Sequence, residues 1–547
     1  MRRPPGRLVR AAIVALALGL ALGLAWLRFA APEPLGADVS LERFSAARAL
    51  GQLRGVLGDQ RPHPMGSPAN AAVRERIVAR LRALGYAPEV QRGDSCGRWG
   101  RCGEVQNIVA TVPGGPGAVL LVAHYDSVPA GPGAADDGAA VGAVLEVARV
   151  LAKAPAPRNT IVLLIDDGEE VGLLGAELFM ANHPLAEQVH VVINLEARGT
   201  SGPSLMFETA GPTAELSRLF AEAVDRPISS SLFAAVYERL PNDTDLTVFR
   251  AHGLAGYNFA FIDDARHYHT AQDDLDHLSA ASVQHHGDNA LALVRVLSQA
   301  DLRTLGQGGD AVWFDVLGWF VVRWPLGWSV PLAVVALALL GAAMAGAGRR
   351  HPRFWRAWLG CLCASLAAVL VAGLVSAAVV WVLTAVGAVH QFGAGSAPVL
   401  VGVPLVVALA VVLLTARVGV VQRASLAARY AGLWSLWTLL MFAVAIGMPE
   451  GSYLFIVPGM VAGLVALALR GMAPAGPWIG LVASLLPMAV AALLWLTVVL
   501  ALVAALGLAG QVAIGLAAAL TVITALPALE LPPGPTTPAA RPPLTTP

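Results

Sequence analysis

Two hydrophobic patterns divide the chain near residue 310: before it, short apolar runs alternate with helical periodicity; after it, long apolar runs follow one another closely. In the first part VQNIVATV, AVLLVAHY, NTIVLLIDD and HVVINLEA, starting at residues 105, 118, 159 and 190, are rich in Val, Ile and Leu without a polar face. Such strands are buried on both sides, as in a largely parallel sheet covered by helices. Helical patterns at 39–57 and 68–84, and in GAAVGAVLEVARVLAK and GLLGAELFMANH, supply the covering layers. The expected class is therefore α/β: a mostly parallel sheet flanked by helices, followed by a C-terminal multi-span α-helical membrane domain.

The apolar run from about Ala11 to Phe29, preceded by four Arg, is long enough to span a bilayer. A cleaved signal peptide is the competing reading, but the run is long for one and no clean cleavage site follows. Seven further spans fit 329–348, 358–386, 398–415, 431–448, 452–469, 478–503 and 509–528. With the N-terminus inside, Arg349, Arg350, Arg353, Arg356, Arg417, Arg423, Arg429 and Arg470 all fall on the inner side, while the loops at 387–397 and 449–451 carry no Arg or Lys. The positive-inside rule then puts residues 31–310 outside the cytoplasm and both termini within it. The expected organisation is an anchor at 1–30, an extracytoplasmic domain at 31–310, a helical membrane domain of about seven spans at 311–530, and a Pro/Thr-rich disordered tail at 531–547. Trp313, Trp319, Trp324 and Trp328 read as an interfacial belt, with packing against the soluble domain as the alternative.

Charge sharpens the division. Of 37 acidic residues only Asp315, Glu450 and Glu530 lie beyond position 310, and the formal net charge is zero. That balance argues against a nucleic-acid partner. The centres of the spans hold no Asp, Glu or Lys, so nothing marks an ion pathway. Cys96 and Cys102 lie close together in the exported part, where a disulfide and a pair of free thiols are both open. Cys361 and Cys363 fall within a span and read as small apolar residues.

The chemistry collects at the strand ends, where α/β sheets bind ligands. AVLLVAHYD ends in His124 and Asp126; TIVLLIDD runs into Glu169 and Glu170; HVVINL ends in Glu196. The Gly-rich loop GPGAADDG carries Asp136 and Asp137, and ARHYHTAQDD carries Tyr268 and His269. Taken singly, each is a helix cap, a solvent contact or a surface histidine. Five such segments converging on one sheet edge point instead to a bound divalent metal, since uncompensated buried charge is costly.

In that order, AHYDS, AADDGAA, GEEVGLLGA, NLEARG and YHTAQDD resemble the M28 family of zinc metallopeptidases, and more narrowly its endoplasmic-reticulum and vacuolar membrane members. RPHPMGSPANAAVRERI, NDTDLTVFRAHGLAGYNFAFID and LSAASVQHHGDNALALV extend the likeness over most of 40–300. The resemblance implies a zinc-aminopeptidase-like fold and two Zn2+ ions: His124 and Glu196 on one, Glu170 and His269 on the other, Asp136 bridging. It implies Glu169 as the acid–base residue, Asp126 as the partner of His124, and Tyr268 as a donor to the oxyanion, with packing as its alternative. The doublet leaves Asp137 as the other candidate for the bridge. His63, His252, His267, His277, His285 and His286 read as structural or surface. One departure is Glu196, where many soluble aminopeptidases of the family have Asp; it leaves the direction of exopeptidase attack open. The implied activity is peptide hydrolysis, most simply by an aminopeptidase. Carboxypeptidase action through Arg198, glutaminyl cyclisation on a single zinc, and a non-catalytic receptor with a relic fold are the alternatives.

Overall fold

The computed structural model describes residues 6–350, 353–390, 396–470 and 477–529; the tail expected at 531–547 lies outside them. The chain forms two compact units, one of Leu27–Trp328 with Pro449–Gly451, the other of Met1–Trp26, Ser329–Met448 and Ser452–Pro547. Helix α1 (Arg7–Arg28) begins the chain.

In the first unit, α2 (Ala46–Leu57) and α3 (Pro68–Ala83) precede β1 (Glu89–Cys96), β2 (Cys102–Val112) and β3 (Gly115–His124). Then come α4 (Gly138–Leu151), β4 (Asn159–Asp166), the single turn α5 (Glu169–Gly172), α6 (Leu174–Asn182), β5 (Val189–Ala197) and β6 (Leu205–Ala210). Next follow α7 (Thr213–Ala223), α8 (Ser231–Tyr237), α9 (Asp245–Ala251), β7 (Ala255–Phe261), α10 (Ala280–Leu297) and the hairpin β8 (Ala311–Val316) and β9 (Phe320–Pro325). Ser45 and Ser67 start α2 and α3 by accepting from Arg48 N–H and Asn70 N–H, and Pro68 occupies the first turn where its missing N–H costs nothing.

The main sheet has the order β1-β2-β4-β3-β5-β7-β6. Its four central strands, β4, β3, β5 and β7, are parallel, while β1, β2 and β6 add antiparallel edges. The sheet is thus mixed, with a parallel centre. The edge pairing follows from the short β1–β2 turn, which folds the chain back on itself and which Cys96–Cys102 closes by a disulfide.

Side chains alternate across the central strands, so Val119, Leu121 and Ala123 of β3 join one core with α2, α4 and α10. Leu120 and Val122 join another with Phe179 of α6 and Phe249 of α9. Both faces are covered, which is why the strands read as unbroken apolar runs. Each buried Val, Leu or Ile contributes roughly 1.5–3 kcal/mol. The parallel centre leaves all four C-terminal strand ends at one edge.

The second unit is helical: α11 (Ser329–Arg350), α12 (Phe354–Ala385), α13 (Ser396–Thr415), the short α14 (Gly419–Gln422), α15 (Leu426–Gly447), α16 (Tyr453–Arg470), α17 (Pro477–Leu506), α18 (Gln511–Ile523) and α19 (Leu526–Leu529). Six described stretches are long and apolar enough to cross a membrane: Leu8–Arg28, Leu326–Arg350, Phe354–Ala385, Ser396–Thr415, Leu426–Gly447 and Trp478–Ile523. The last contains both α17 and α18, and Tyr453–Leu469 is a shorter apolar helix.

Of the tryptophans before α11, Trp319 and Trp328 are exposed, whereas Trp313 is buried on the inner side of β8 and its Nε1–H donates to Ser229 Oγ at 3.0 Å. The belt reading fails for Trp313 because β8 turns it into the core of the first unit.

Arg28, the last residue of α1, packs with the hairpin of the first unit. Its Nε donates to Asp315 Oδ2 at 2.7 Å and its Nη2 to Oδ1. Asp315 also accepts from the N–H groups of Ser229 (3.0 Å) and Gly318 (2.9 Å). Both side chains are almost fully buried. Removing one partner of such a pair strands the other charge. Asp315→Ala is therefore expected to destabilise the first unit by roughly 3–5 kcal/mol, and Arg28→Met by less, since Asp315 keeps its two backbone donors. Thermal unfolding of the detergent-solubilised chain reads the ranking; equal melting temperatures for Asp315→Ala and the parent would show that the pair contributes nothing.

Candidate metal centre

His124 is the last residue of β3, Glu169 and Glu170 follow β4 on α5, Glu196 is near the end of β5, and His269 lies in the loop after β7. Asp136 and Asp137 end the loop that leads into α4. Parallel pairing from β4 to β7 brings these ends to one edge.

The loop needs its small residues. A Cβ on Gly131 would lie 2.2 Å from Thr270 O, and one on Gly133, at φ +63°, 2.6 Å from Asp136 O. Only glycine lets the loop approach the segment that carries His269 so closely while turning through a left-handed conformation. Asp273 then fixes the turn: its carboxylate accepts from the N–H groups of Ala135 (2.7 Å) and Asp136 (3.2 Å).

Two ligand clusters result, His124 with Asp136 and Glu196, and Asp136 with Glu170 and His269; within each, the candidate ligand atoms lie within 4.8 Å of one another. Asp136 belongs to both. Its Oδ1 is 3.4 Å from His124 Nε2, and its Oδ2 is 3.1 Å from His269 Nε2, which is also 3.1 Å from Glu170 Oε1. Asp137 turns away and accepts the His124 N–H at 3.2 Å. Glu169 belongs to neither cluster. The first cluster is buried, whereas the His269 side chain is 36% exposed, so the second opens to solvent.

The donor set suits a metal. His124 Nε2, His269 Nε2 and Glu170 Oε1 are buried without a hydrogen-bond partner among the described residues. Buried polar atoms are rarely left so, and these three are ligand atoms of the two clusters. Carboxylates also outnumber the imidazoles. Burial pushes Asp137, Glu169 and Glu196 well above the ordinary carboxyl range, and Glu170 to about 7. Burial works against charge on His124 and His269 too, but the acids outweigh it and raise both, His269 to about 10. An acid excess in a desolvated pocket is relieved by a bound cation.

Asp126 does more than face His124. His124 Nδ1 lies 3.1 Å from the Asp126 backbone oxygen and 3.4 Å from Oδ1. The same carboxylate accepts the N–H groups of Glu169 (3.1 Å) and Glu170 (3.3 Å). It therefore ties the imidazole to the first turn of α5. Tyr268 stacks on His269 at 3.7 Å, and burial with Asp136, Glu170, Glu169 and Glu196 nearby raises its pKa. His269 has φ +57°, a left-handed conformation that costs a non-glycine residue energy and recurs at functional sites. Arg198 is exposed beyond the end of β5.

Several residues at the site escaped the sequence reading. Asp273 sits in the quoted YHTAQDD, but no spacing rule separates it from Asp274. Asn194, two residues before Glu196, donates Nδ2–H to Glu196 Oε1 at 3.3 Å. Asp166 and Asp245 form a buried acid pair; burial and mutual repulsion raise Asp166 well above its usual value, and burial raises Asp245 to about 6. Burial and the carboxylates of Glu208, Glu196 and Glu169 raise the Tyr237 hydroxyl, which marks it as a neighbour of the site. Trp99, exposed at the tip of the β1–β2 turn, lies against Gly172 at the end of α5. Arg98 beside it pairs with Asp243 at 3.1 Å.

Residues 107–294 match the model of peptidase family M28, a family that implies zinc at such a centre. The chain is 35% identical over 231 residues to endoplasmic reticulum metallopeptidase 1 of Rattus norvegicus, covering 40% of this chain and 26% of that protein. It is 35% identical over 271 residues to a vacuolar membrane protease of Botryotinia fuckeliana, covering 46% of this chain and 25% of that protein. It thus spans about a quarter of the length of these relatives. Among solved structures, a Porphyromonas gingivalis glutaminyl cyclase is 21% identical at TM-score 0.38, covering 47% of this chain and 99% of that one, a likeness too slight to bear on the reaction. Residues 107–294 thus match the domain model of peptidase family M28, and the curated relatives that the chain resembles there are membrane-bound members of that family.

Proposed function

We propose that the chain is a membrane-anchored dizinc aminopeptidase acting on short peptides outside the cytoplasm. The observation that carries this reading is Asp136, whose two oxygens face different histidines, so that one carboxylate serves both clusters. In the proposal His124, Asp136 and Glu196 hold one zinc, and Asp136, Glu170 and His269 the other. Two zinc ions, when bound, supply Lewis acidity and make a water molecule acidic enough to attack at neutral pH.

The protein's own groups do the rest. The Glu169 carboxylate takes a proton from the attacking water and returns it to the leaving amine nitrogen, which is general acid–base work. Asp126 positions both His124 and the α5 backbone, so it sets the placement of the base relative to the ligands. Tyr268 donates its hydroxyl hydrogen to the oxyanion that forms on the scissile carbonyl. The surrounding carboxylates favour a cationic group, and the free ammonium of a peptide N-terminus is one.

Because Glu169 lies outside both clusters, Glu169→Gln is expected to abolish hydrolysis with metal content near that of the parent. His269→Ala and Asp136→Ala should lower bound zinc, Asp136→Ala the more because it touches both clusters. Elemental analysis beside a peptide assay decides; equal zinc in all three variants would remove the ligand assignment.

Direction of attack is tested on the substrate. N-terminal acetylation of a good peptide substrate is expected to abolish cleavage and C-terminal amidation to leave it. The opposite pattern would favour a carboxypeptidase with Arg198 binding the terminal carboxylate.

Arginine placement and the Cys96–Cys102 disulfide, which suits an oxidising compartment, support the side of the membrane proposed here. In this proposal the peptidase domain is extracytoplasmic and both termini are cytoplasmic. A reporter enzyme active only outside the cytoplasm should work when fused near Gly308 and be silent after Pro547. Helix α18 has 13 residues, about 20 Å of rise, against a hydrocarbon core of about 30 Å. A signal after Pro547 would therefore mean that 477–523 crosses once rather than twice.

A further inference from the structure

Helices α2, α3 and α4 of the first unit border a groove of about 540 Å³ whose lining includes no residue of either ligand cluster. Arg48, Arg76, Arg80 and Arg149 line it with a single acid, Glu146.

Glu146 is fully buried and its charge is already used. Its oxygens accept from Arg48 Nε (2.7 Å), Arg149 Nε and Nη2 (2.8 and 2.9 Å) and Gln52 Nε2 (3.1 Å). Arg80 is held by one bond, Nε to Gln52 Oε1 at 2.9 Å. Arg76 donates only Nη1, to the carbonyls of Val56 and Leu57 at the end of α2. Both terminal nitrogens of Arg80, Nε and Nη2 of Arg76 and Nη1 of Arg149 have no partner among the described residues. Four guanidinium charges thus face one carboxylate, and the arginines that keep spare donors are fixed in place by other bonds.

The floor gives a second, independent sign. Gly51 and Gly55, one turn apart on α2, line the groove, and a Cβ on either would meet no atom within 4 Å. Packing does not require glycine there, yet each costs the helix about 1 kcal/mol relative to alanine. Ala79 and Ala83 of α3 keep the other side equally low.

We propose that this groove binds a phosphate-bearing anion, with the Arg76, Arg80 and Arg149 guanidinium groups contacting its oxygens and the Gly51–Gly55 floor admitting the group it is attached to. Arginine forks match phosphate oxygens in pairs, and three of them, two from α3 and one from α4, offer enough donors for a tetrahedral dianion. A lipid headgroup and a soluble phosphate ester share this chemistry.

The test uses the full chain. Inorganic phosphate is titrated calorimetrically against the protein in neutral detergent micelles, and retained phosphatidic acid is measured by native mass spectrometry after reconstitution in phosphatidylcholine nanodiscs containing it. Arg80→Gln removes two spare donors; Gly55→Leu fills the floor from a position where a Cβ meets no atom within 4 Å, so it keeps the fold. Arg80→Gln is expected to weaken binding of either probe about tenfold or more, as loss of charge-assisted hydrogen bonds does, and Gly55→Leu to weaken retention of phosphatidic acid by blocking the floor. Phosphate binding in micelles would assign a soluble ligand, and retention of phosphatidic acid alone would assign a headgroup. The proposal is overturned if the parent binds neither probe, or if both variants bind as the parent does, which is also what phosphate held at the metal centre would give.

Discussion

One carboxylate has to reach two histidines that arrive from the ends of different strands at the same edge of the sheet, and much of the first unit serves that requirement. Asp136 lies in a loop, so its position is set by what the loop touches. Gly131 lets the loop press against Thr270, next to His269, and Asp273 accepts the two N–H groups that orient the turn. His124 is fixed from the other side by the strand it ends and by Asp126. The contact between Asp136 and its partners is thus the meeting point of three chain segments, each held by backbone hydrogen bonds rather than by side-chain packing alone.

The positions of the strands and of the chemistry at their ends were legible in the sequence for the same reason. Strands covered on both faces have no polar residues to spare, so a histidine or carboxylate at a strand end stands out against the apolar run before it. His124, Glu170 and Glu196 could be found in this way. Asp136 and His269 lie on loops, where polar residues are ordinary; they stood out only together with the strand-end residues, and the resemblance to M28 peptidases gave them their expected roles. What was not legible depends on contacts through space. Nothing local to Asp126 indicates that its carboxylate receives the α5 backbone, more than forty residues later. Asp273 is one of two adjacent aspartates and only the folded loop distinguishes them. The antiparallel edges escaped for a similar reason: β2 is as apolar as the central strands, and its direction is set by the turn to β1 rather than by its own pattern.

The membrane half shows the opposite balance. Long apolar helices are announced by composition alone, because a single segment that crosses hydrocarbon by itself must satisfy its backbone internally, as a helix does, and present apolar side chains all round. Composition does not say where one crossing ends and the next begins. Trp478–Ile523 is a single apolar stretch in which only the short interruption at Gly507–Gly510 separates α17 from α18. The proposed sidedness rests on arginine placement, which is read from loops rather than from helices.

The two proposed zinc positions are not equivalent. His124 and Glu196 are buried among strand ends, and Asn194 holds Glu196 from the sheet beneath. His269 stands on a loop, partly exposed, in a left-handed backbone conformation and stacked on Tyr268. A ligand on a strand end is placed by the sheet and costs no extra ordering; a ligand on a strained loop is held only while its neighbours hold it. Stability is accordingly concentrated on the His124 side and access on the His269 side. A substrate carbonyl approaching from solvent would meet Tyr268, His269 and Glu170 before the deeper pair. Asp126 links the two sides, since one carboxylate steadies both the buried imidazole and the turn that carries Glu169 and Glu170. A displacement of α5 would therefore be felt at His124, and the proposed base could not shift without disturbing the candidate ligands beside it.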